Sequence, residues 1–301
     1  MKKLLILFSS WLVFFCLFAQ EERNHRIPWV STGPFWLEDK SRNSFVNQST
    51  LIGIGQTLVF DTYLSPLPYN GRSFSLLHDR LHGSRFFDNR LLIQQQFHLQ
   101  FANTTNPVGN AIAYFTNVSY HLNGFLPVVD VNDFRFFVGG GVDASIGGIY
   151  NTRNTNNPGS AKASSNFNLA VMARYNWHLP FWNRNRVTFR WQLGTPLAGV
   201  FFSPAFGQSY YEIFELGNTN GVVHFGSLHN QQGLRNYFTV DIPLRNVTVR
   251  AGYLGNFYRT DVNHLNTRIS SHQFLIGLVW EQIRLGGGRN AERIQRNSVF
   301  Y

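Results

Sequence analysis

Ser227-Leu228-His229-Asn230, with Gly233 just beyond, is the segment of this chain best suited to covalent chemistry. Side chains two positions apart on a strand point to the same face. The His229 imidazole could therefore take the Ser227 hydroxyl proton and make the oxygen a nucleophile. Polar residues at a strand end beside a loop give the same short pattern without any catalysis. His78 and His82 form a second cluster, in His78-Asp79-Arg80-Leu81-His82. They share a face but stand about 13 Å apart at strand rise, too far to chelate one ion unless the segment is helical. No metal or other cofactor is expected. A third set is Arg135, Asp143, Arg174, Arg186, Arg190, Asp241 and Arg250, charged residues on the polar faces of alternating segments. Lining a pore, they would set its preference for ions or solutes. Paired with each other, they would fill the interior of a small barrel.

Period two dominates the segments that must position these residues. Over 166–179, Phe167, Leu169, Val171, Ala173, Tyr175, Trp177 and Leu179 occupy one face, and Asn166, Asn168, Arg174, Asn176 and His178 lie on the other. Segments 186–197, 91–102 and 111–122 repeat the pattern. Several runs are long enough for a membrane-crossing strand of about 9–11 residues, whereas soluble strands cluster near 5–6. Candidate strands lie near 51–63, 72–82, 90–103, 110–122, 134–150, 164–179, 186–200, 235–244, 247–259 and 268–283. The hairpin at 244–247 and the polar loop at 151–163 belong on opposite sides of a membrane. Region 201–233 must then hold two crossing strands or none. Two, near 210–216 and 221–229, give a twelve-stranded antiparallel up-and-down β-barrel, and none gives ten. Gly139, Gly141 and Gly147 share an inward face and predict close approach of another segment, with 201–233 as a candidate plug.

The N-terminus sets the compartment. Met1-Lys2-Lys3 is basic, Leu4 to Phe18 is almost unbroken apolar sequence, and Ala19 precedes Gln20-Glu21-Glu22. This is the layout of a secretory signal peptide cut after Ala19. Cys16, the one cysteine, leaves with it. Bulky Phe15 occupies the position where a lipoprotein signal needs a small residue. The remaining expectations are an extension over 20–49, a barrel over 50–283 and a tail over 284–301.

Composition agrees. Charged residues are 14% of the 301, against about 25% in soluble proteins. Aromatic residues reach 16%, yet mean hydropathy is −0.17. Alternating lipid-facing and inward-facing positions produce that combination. The formal charge of +10 comes mostly from arginine, with Lys40 and Lys162 the only lysines past the signal. These arginines form no stripe interleaved with aromatics, so nucleic acid is not an expected partner.

Three motifs carry a family resemblance: Tyr63-Leu64-Ser65-Pro66-Leu67-Pro68-Tyr69-Asn70-Gly71, Tyr210-Tyr211-Glu212-Ile213-Phe214 and Ser227-Leu228-His229-Asn230-Gln231-Gln232-Gly233-Leu234-Arg235-Asn236. They resemble an exported bacteroidete-type family catalogued as a domain of unknown function. The resemblance implies an outer-membrane barrel in a Gram-negative cell and supplies no activity. Expected partners are outer-membrane lipid, the barrel-assembly machinery and an envelope complex. The expected role is non-enzymatic: a small pore, a solute passage or a structural component. The alternative rests on a second resemblance. Outer-membrane phospholipases and lipid A deacylases carry a His followed two residues later by Ser, and here Ser227 and His229 stand in the reverse order.

Overall fold

The computed structural model describes residues 45–84, 87, 90–131, 133–154, 158–178, 186–244 and 247–283. The predicted signal segment, residues 20–44 of the predicted extension and the tail over 284–301 lie outside the described residues. Strand β1 (Phe45–Asp61) begins within the last residues assigned to the extension. It is followed by β2 (Ser65–Gly83), β3 (Leu92–Thr105), β4 (Ile112–Val131), β5 (Phe134–Asn151), β6 (Gly159–His178) and β7 (Arg186–Phe202). A single helical turn, α1 (Tyr210–Phe214), comes next, with Tyr210 stacked on Phe214. The chain continues through β8 (Val223–Ser227), β9 (Gln231–Pro243), β10 (Thr248–Val262) and β11 (Leu265–Ile283).

Consecutive long strands pair antiparallel, β9 pairs with β7, and β11 returns to pair along the whole of β1. Ten strands thus close a ring, and closure leaves no sheet edge in the wall. The ten-stranded alternative is the one that forms, and neither predicted crossing in 201–233 exists. Residues 210–214 are helical, and Val223–Ser227 has five residues, too few to cross a bilayer. β8 instead extends the wall locally. It pairs with β7 over Ala198–Phe202, while β9 pairs with β7 over Thr188–Gly194. Between these stretches β7 advances from Gly194 to Ala198, but the facing chain runs from Ser227 to Arg235. The surplus residues leave the ladder as the turn at 228–230. The loop predicted at 151–163 is shorter than expected, because β6 already begins at Gly159.

Alternation places the two faces in different surroundings. Ile54, Ile146 and Phe274 are 65–69% exposed on the outside, as are large parts of Phe74, Phe97, Phe101, Leu169 and Ile276. Trp177, Trp191 and Trp280 lie toward strand ends on the same outer surface. Inside, Leu81, Leu92, Phe125, Phe137, Ala170 and Met172 form an apolar cluster near the end that carries Phe45 and Ile283. Val59, Leu64, Tyr69, Ala102, Ala113, Phe115 and Ile149 form another near the opposite end. Among the described residues, no helix is long and apolar enough to cross a membrane.

The glycines of β5 have a local cause. A Cβ on Gly141 would fall 1.8 Å from the Leu122 carbonyl oxygen, and one on Gly139 would fall 2.0 Å from that of Gly124. The close neighbour is the backbone of β4 rather than a plug from 201–233. Glycine lets these two strands bend sharply against each other.

At the end opposite Phe45 and Ile283, side chains link connections from different parts of the ring. Tyr63, in the β1–β2 turn, donates its hydroxyl to the Gln208 carbonyl at 2.7 Å. Asn154 Nδ2 donates to the Leu64 carbonyl at 2.6 Å. The segment after β7 therefore crosses the barrel mouth toward the β1–β2 turn, half-way round the ring.

Candidate functional site

The interior is joined across its width at Asp79. β2 and β7 lie half-way round the ring from each other. Asp79 of β2 is completely buried, and its Oδ2 accepts from Arg190 of β7 and, at 3.0 Å, from Nη1 of Arg250 on β10. Its Oδ1 accepts from Gln94 Nε2 at 2.9 Å and Gln96 Nε2 at 3.1 Å, both on β3. A carboxylate has about four acceptor positions, and all of them are used here.

Arg250 is satisfied to the same degree. Its Nε and Nη2 meet Asp241 Oδ1 and Oδ2 at 2.6 and 2.7 Å, the paired geometry that guanidinium and carboxylate favour. Nη1 also donates to Ser49 Oγ at 2.7 Å, and Nη2 to Asn47 Oδ1 at 2.9 Å. With Asp79, all five donors are occupied. Gln94 Nε2 also reaches Gln192 Oε1 at 3.0 Å, a direct link from β3 to β7. The Arg190 guanidinium lies 5.2 Å from the centre of the Tyr237 ring. Two carboxylates and two guanidiniums balance in charge, so the burial of these ions is compensated.

The other predicted lumen residues divide by position. Arg174 is buried between Arg135 and Arg190 in the β5–β6–β7 register. Arg135 instead pairs with Asp130 at 3.0 Å near the β4–β5 turn. Arg186 is the first residue of β7 and is exposed. Asp143 lines a cavity of about 130 Å³ inside the barrel and accepts from Asn166 Nδ2 at 3.2 Å.

Ser227 Oγ and His229 Nδ1 lie 2.5 Å apart. Their contact is made by the turn rather than by strand alternation, since Ser227 ends β8 and His229 lies in the turn at 228–230. Asn230 shapes that turn: its Oδ1 accepts from the Ser227 amide and its Nδ2 donates to the Phe225 carbonyl, both at 2.9 Å. His229 is exposed, and its second ring nitrogen has no hydrogen-bond partner among the described residues. A hydrolytic dyad needs that nitrogen oriented. His78 bonds Thr50 Oγ1 at 3.0 Å, and no metal-binding cluster occurs among the described residues.

Sequence pattern missed the hub. Asp79 belongs to the histidine cluster of the sequence, and Gln94, Gln96 and Gln192 lie within the alternating segments 91–102 and 186–197 with nothing to single them out. Their inward parity was visible; which partner each meets across the lumen depends on barrel closure.

The barrel has distant counterparts among solved structures. The beta domain of the Bordetella autotransporter Brka is 12% identical, with a TM-score of 0.40, over 79% of this chain and 99% of that one. The translocator domain of the autotransporter NalP from Neisseria meningitidis is 9% identical, with a TM-score of 0.37, over 77% of this chain and 88% of that one. A Pseudomonas aeruginosa FadL homologue is 8% identical, with a TM-score of 0.30, over 80% and 90%. No curated protein matches the chain. The family described as protein of unknown function (DUF3316) matches residues 5–289, nearly the whole sequence, and the chain belongs to that family.

Proposed function

We propose that this protein is a non-enzymatic outer-membrane barrel of a Gram-negative, bacteroidete-type cell, with a lumen that is shut at rest. It reaches that membrane after signal cleavage near Ala19. The observation that carries the reading is the Asp79 network, because it ties β2 and β3 to β7 and β10 with buried, mutually satisfied groups. Such a barrel serves as a structural component, or passes solute only when those side chains move. The Arg174, Arg190, Asp241 and Arg250 side chains then act as closure elements, with Asp143 on the wall of the cavity.

The outer surface supports the membrane assignment. Soluble monomers seldom expose contiguous apolar patches beyond a few hundred Å², whereas here aliphatic and aromatic side chains cover the outer faces of successive strands. A lipid-facing band bordered by aromatics accounts for them. The end that carries Phe45 and Ile283 would face the periplasm and the opposite end the exterior. Expression in a Gram-negative host tests this: the full chain should fractionate with outer membranes as a heat-modifiable band. Recovery as a soluble periplasmic protein would overturn it.

The lipid-hydrolase alternative rests on the Ser227–His229 contact. The same purified protein, incubated with phospholipid and lipopolysaccharide, should release no fatty acid. Release that is abolished by Ser227→Ala would establish the alternative in its place.

A further inference from the structure

The outer surface changes character along β11. From Leu278 toward the mouth, its outward side chains run Ile276, Phe274, His272, Ser270 and Arg268. The apolar part continues across the neighbouring strands. Phe274 is 69% exposed, and its partner Ile54 on β1 is 68% exposed. Tyr253 of β10 and Phe74 of β2 extend the same row to either side. Mouthward of this band, Arg268 stands directly opposite Arg259 of β10.

Both arginines point outward. Thr260 and Thr267, their neighbours along the strands, are buried inside the barrel, and both arginines are exposed. Directly opposed residues of antiparallel strands have Cα atoms about 4.5–5.5 Å apart. Like charges in that position repel and weaken the pairing. Arg268 meets no carboxylate at ion-pair distance among the described residues. Arg259 Nη2 reaches Asp261 Oδ2 only at 3.7 Å, and that oxygen already accepts from Asn266 Nδ2 at 3.2 Å. A third guanidinium, Arg72 of β2, is exposed at the border of the band, where Gln56 pairs with both it and His272. Two opposed guanidiniums with this little compensation make a place for an anion that bridges them.

We propose that this face binds a phosphate-bearing glycolipid of the lipid A class. A phosphate bridges Arg259 and Arg268, and the acyl chains lie over Phe274, Ile54 and Ile276. Guanidinium holds phosphate through paired, charge-assisted hydrogen bonds. A lipid fits better than a free anion because charge and apolar surface lie in line on the same strands. Arg268 is six residues from Phe274, about 20 Å along the strand, within the length of one leaflet with its headgroups. The arginines lie near the β10–β11 turn, at the end opposite Ile283. That end faces the exterior in the outer-membrane reading, on which this inference rests, so the lipid belongs to the outer leaflet.

The test uses the full-length protein in nonionic detergent, titrated with lipid A, with dephosphorylated lipid A and with inorganic phosphate. Lipid A should bind about tenfold or more tightly than either other probe, the effect of one charge-assisted hydrogen bond. Arg259→Gln and Arg268→Gln should each bring lipid A down to the level of its dephosphorylated form. In lipid-free micelles the same variants should unfold at a denaturant midpoint equal to or above that of the unaltered protein, because each relieves the repulsion. A lowered midpoint there would mean that the pair is structural, and would overturn the proposal. Equal binding of lipid A and its dephosphorylated form, inorganic phosphate bound as tightly as lipid A, or variants that keep full lipid A binding would overturn it as well. Should a variant fail to fold, the three-probe comparison on the unaltered protein still decides. A chain that fractionates with outer membranes yet shows no preference for lipid A defeats this inference alone, whereas recovery as a soluble periplasmic protein defeats the reading beneath it.

Discussion

Asp79→Ala is expected to destabilise the barrel by about 3–5 kcal/mol, the cost of breaking a buried ion pair by removing one partner. The loss is large because Asp79 serves four donors at once. Its removal leaves Arg190 without its carboxylate and frees the Gln94 and Gln96 amides. Arg250 is less affected, since Asp241 holds it through two bonds. Asp79→Asn keeps the shape but not the charge, and it replaces two accepting positions with donors that face guanidinium. It should therefore recover little. Arg250→Met, which strands the Asp241 carboxylate and takes one donor from Asp79, should be comparably damaging. The measurement is the denaturant midpoint of the folded, heat-modifiable form in micelles, compared with the unaltered protein. A midpoint unchanged by Asp79→Ala would mean that the network contributes no stability.

Gly141→Val is expected to abolish the folded form rather than shift its midpoint. Overpacking commonly costs about 1–3 kcal/mol when side chains can adjust. Here the obstruction is backbone: the Leu122 carbonyl oxygen at 1.8 Å and the Asn123 Cα at 2.7 Å from a Cβ. Relief requires β4 and β5 to separate, along a register that runs continuously from Ala113–Asn151 to Pro127–Phe137. Gly159→Ala is the control, because a Cβ there meets nothing within 4 Å. Loss of the heat-modifiable band in Gly141→Val, with retention in Gly159→Ala, is the predicted outcome.

Much of the fold was legible because period two reports which face is buried, whatever lies beyond it. Phe167, Leu169, Tyr175 and Trp177 do lie on the outside, and Asn166 and Arg174 do point inward. Region 201–233 was not legible. Val223 and Phe225 alternate outward like a crossing strand, but only pairing distances show that β8 stops after five residues. The aromatic run at 210–214 gave no strand because it forms a helical turn.

The candidate sites were legible to a lesser degree. Arg190, Asp241 and Arg250 were identified by parity alone, since each lies on an inward face. Parity places Arg135 and Arg186 on that face as well, yet both stand near strand ends, where Arg135 turns to Asp130 and Arg186 is exposed. The central role of Asp79 follows from contact between opposite walls. Such contacts depend on barrel diameter and stagger, which local sequence does not encode.

Single-channel recording in planar bilayers tests the closed lumen most directly. The full-length protein is predicted to insert without steady conductance, and Asp79→Ala, if it remains folded, to show intermittent openings. A stable ohmic conductance from the unaltered protein would contradict the account.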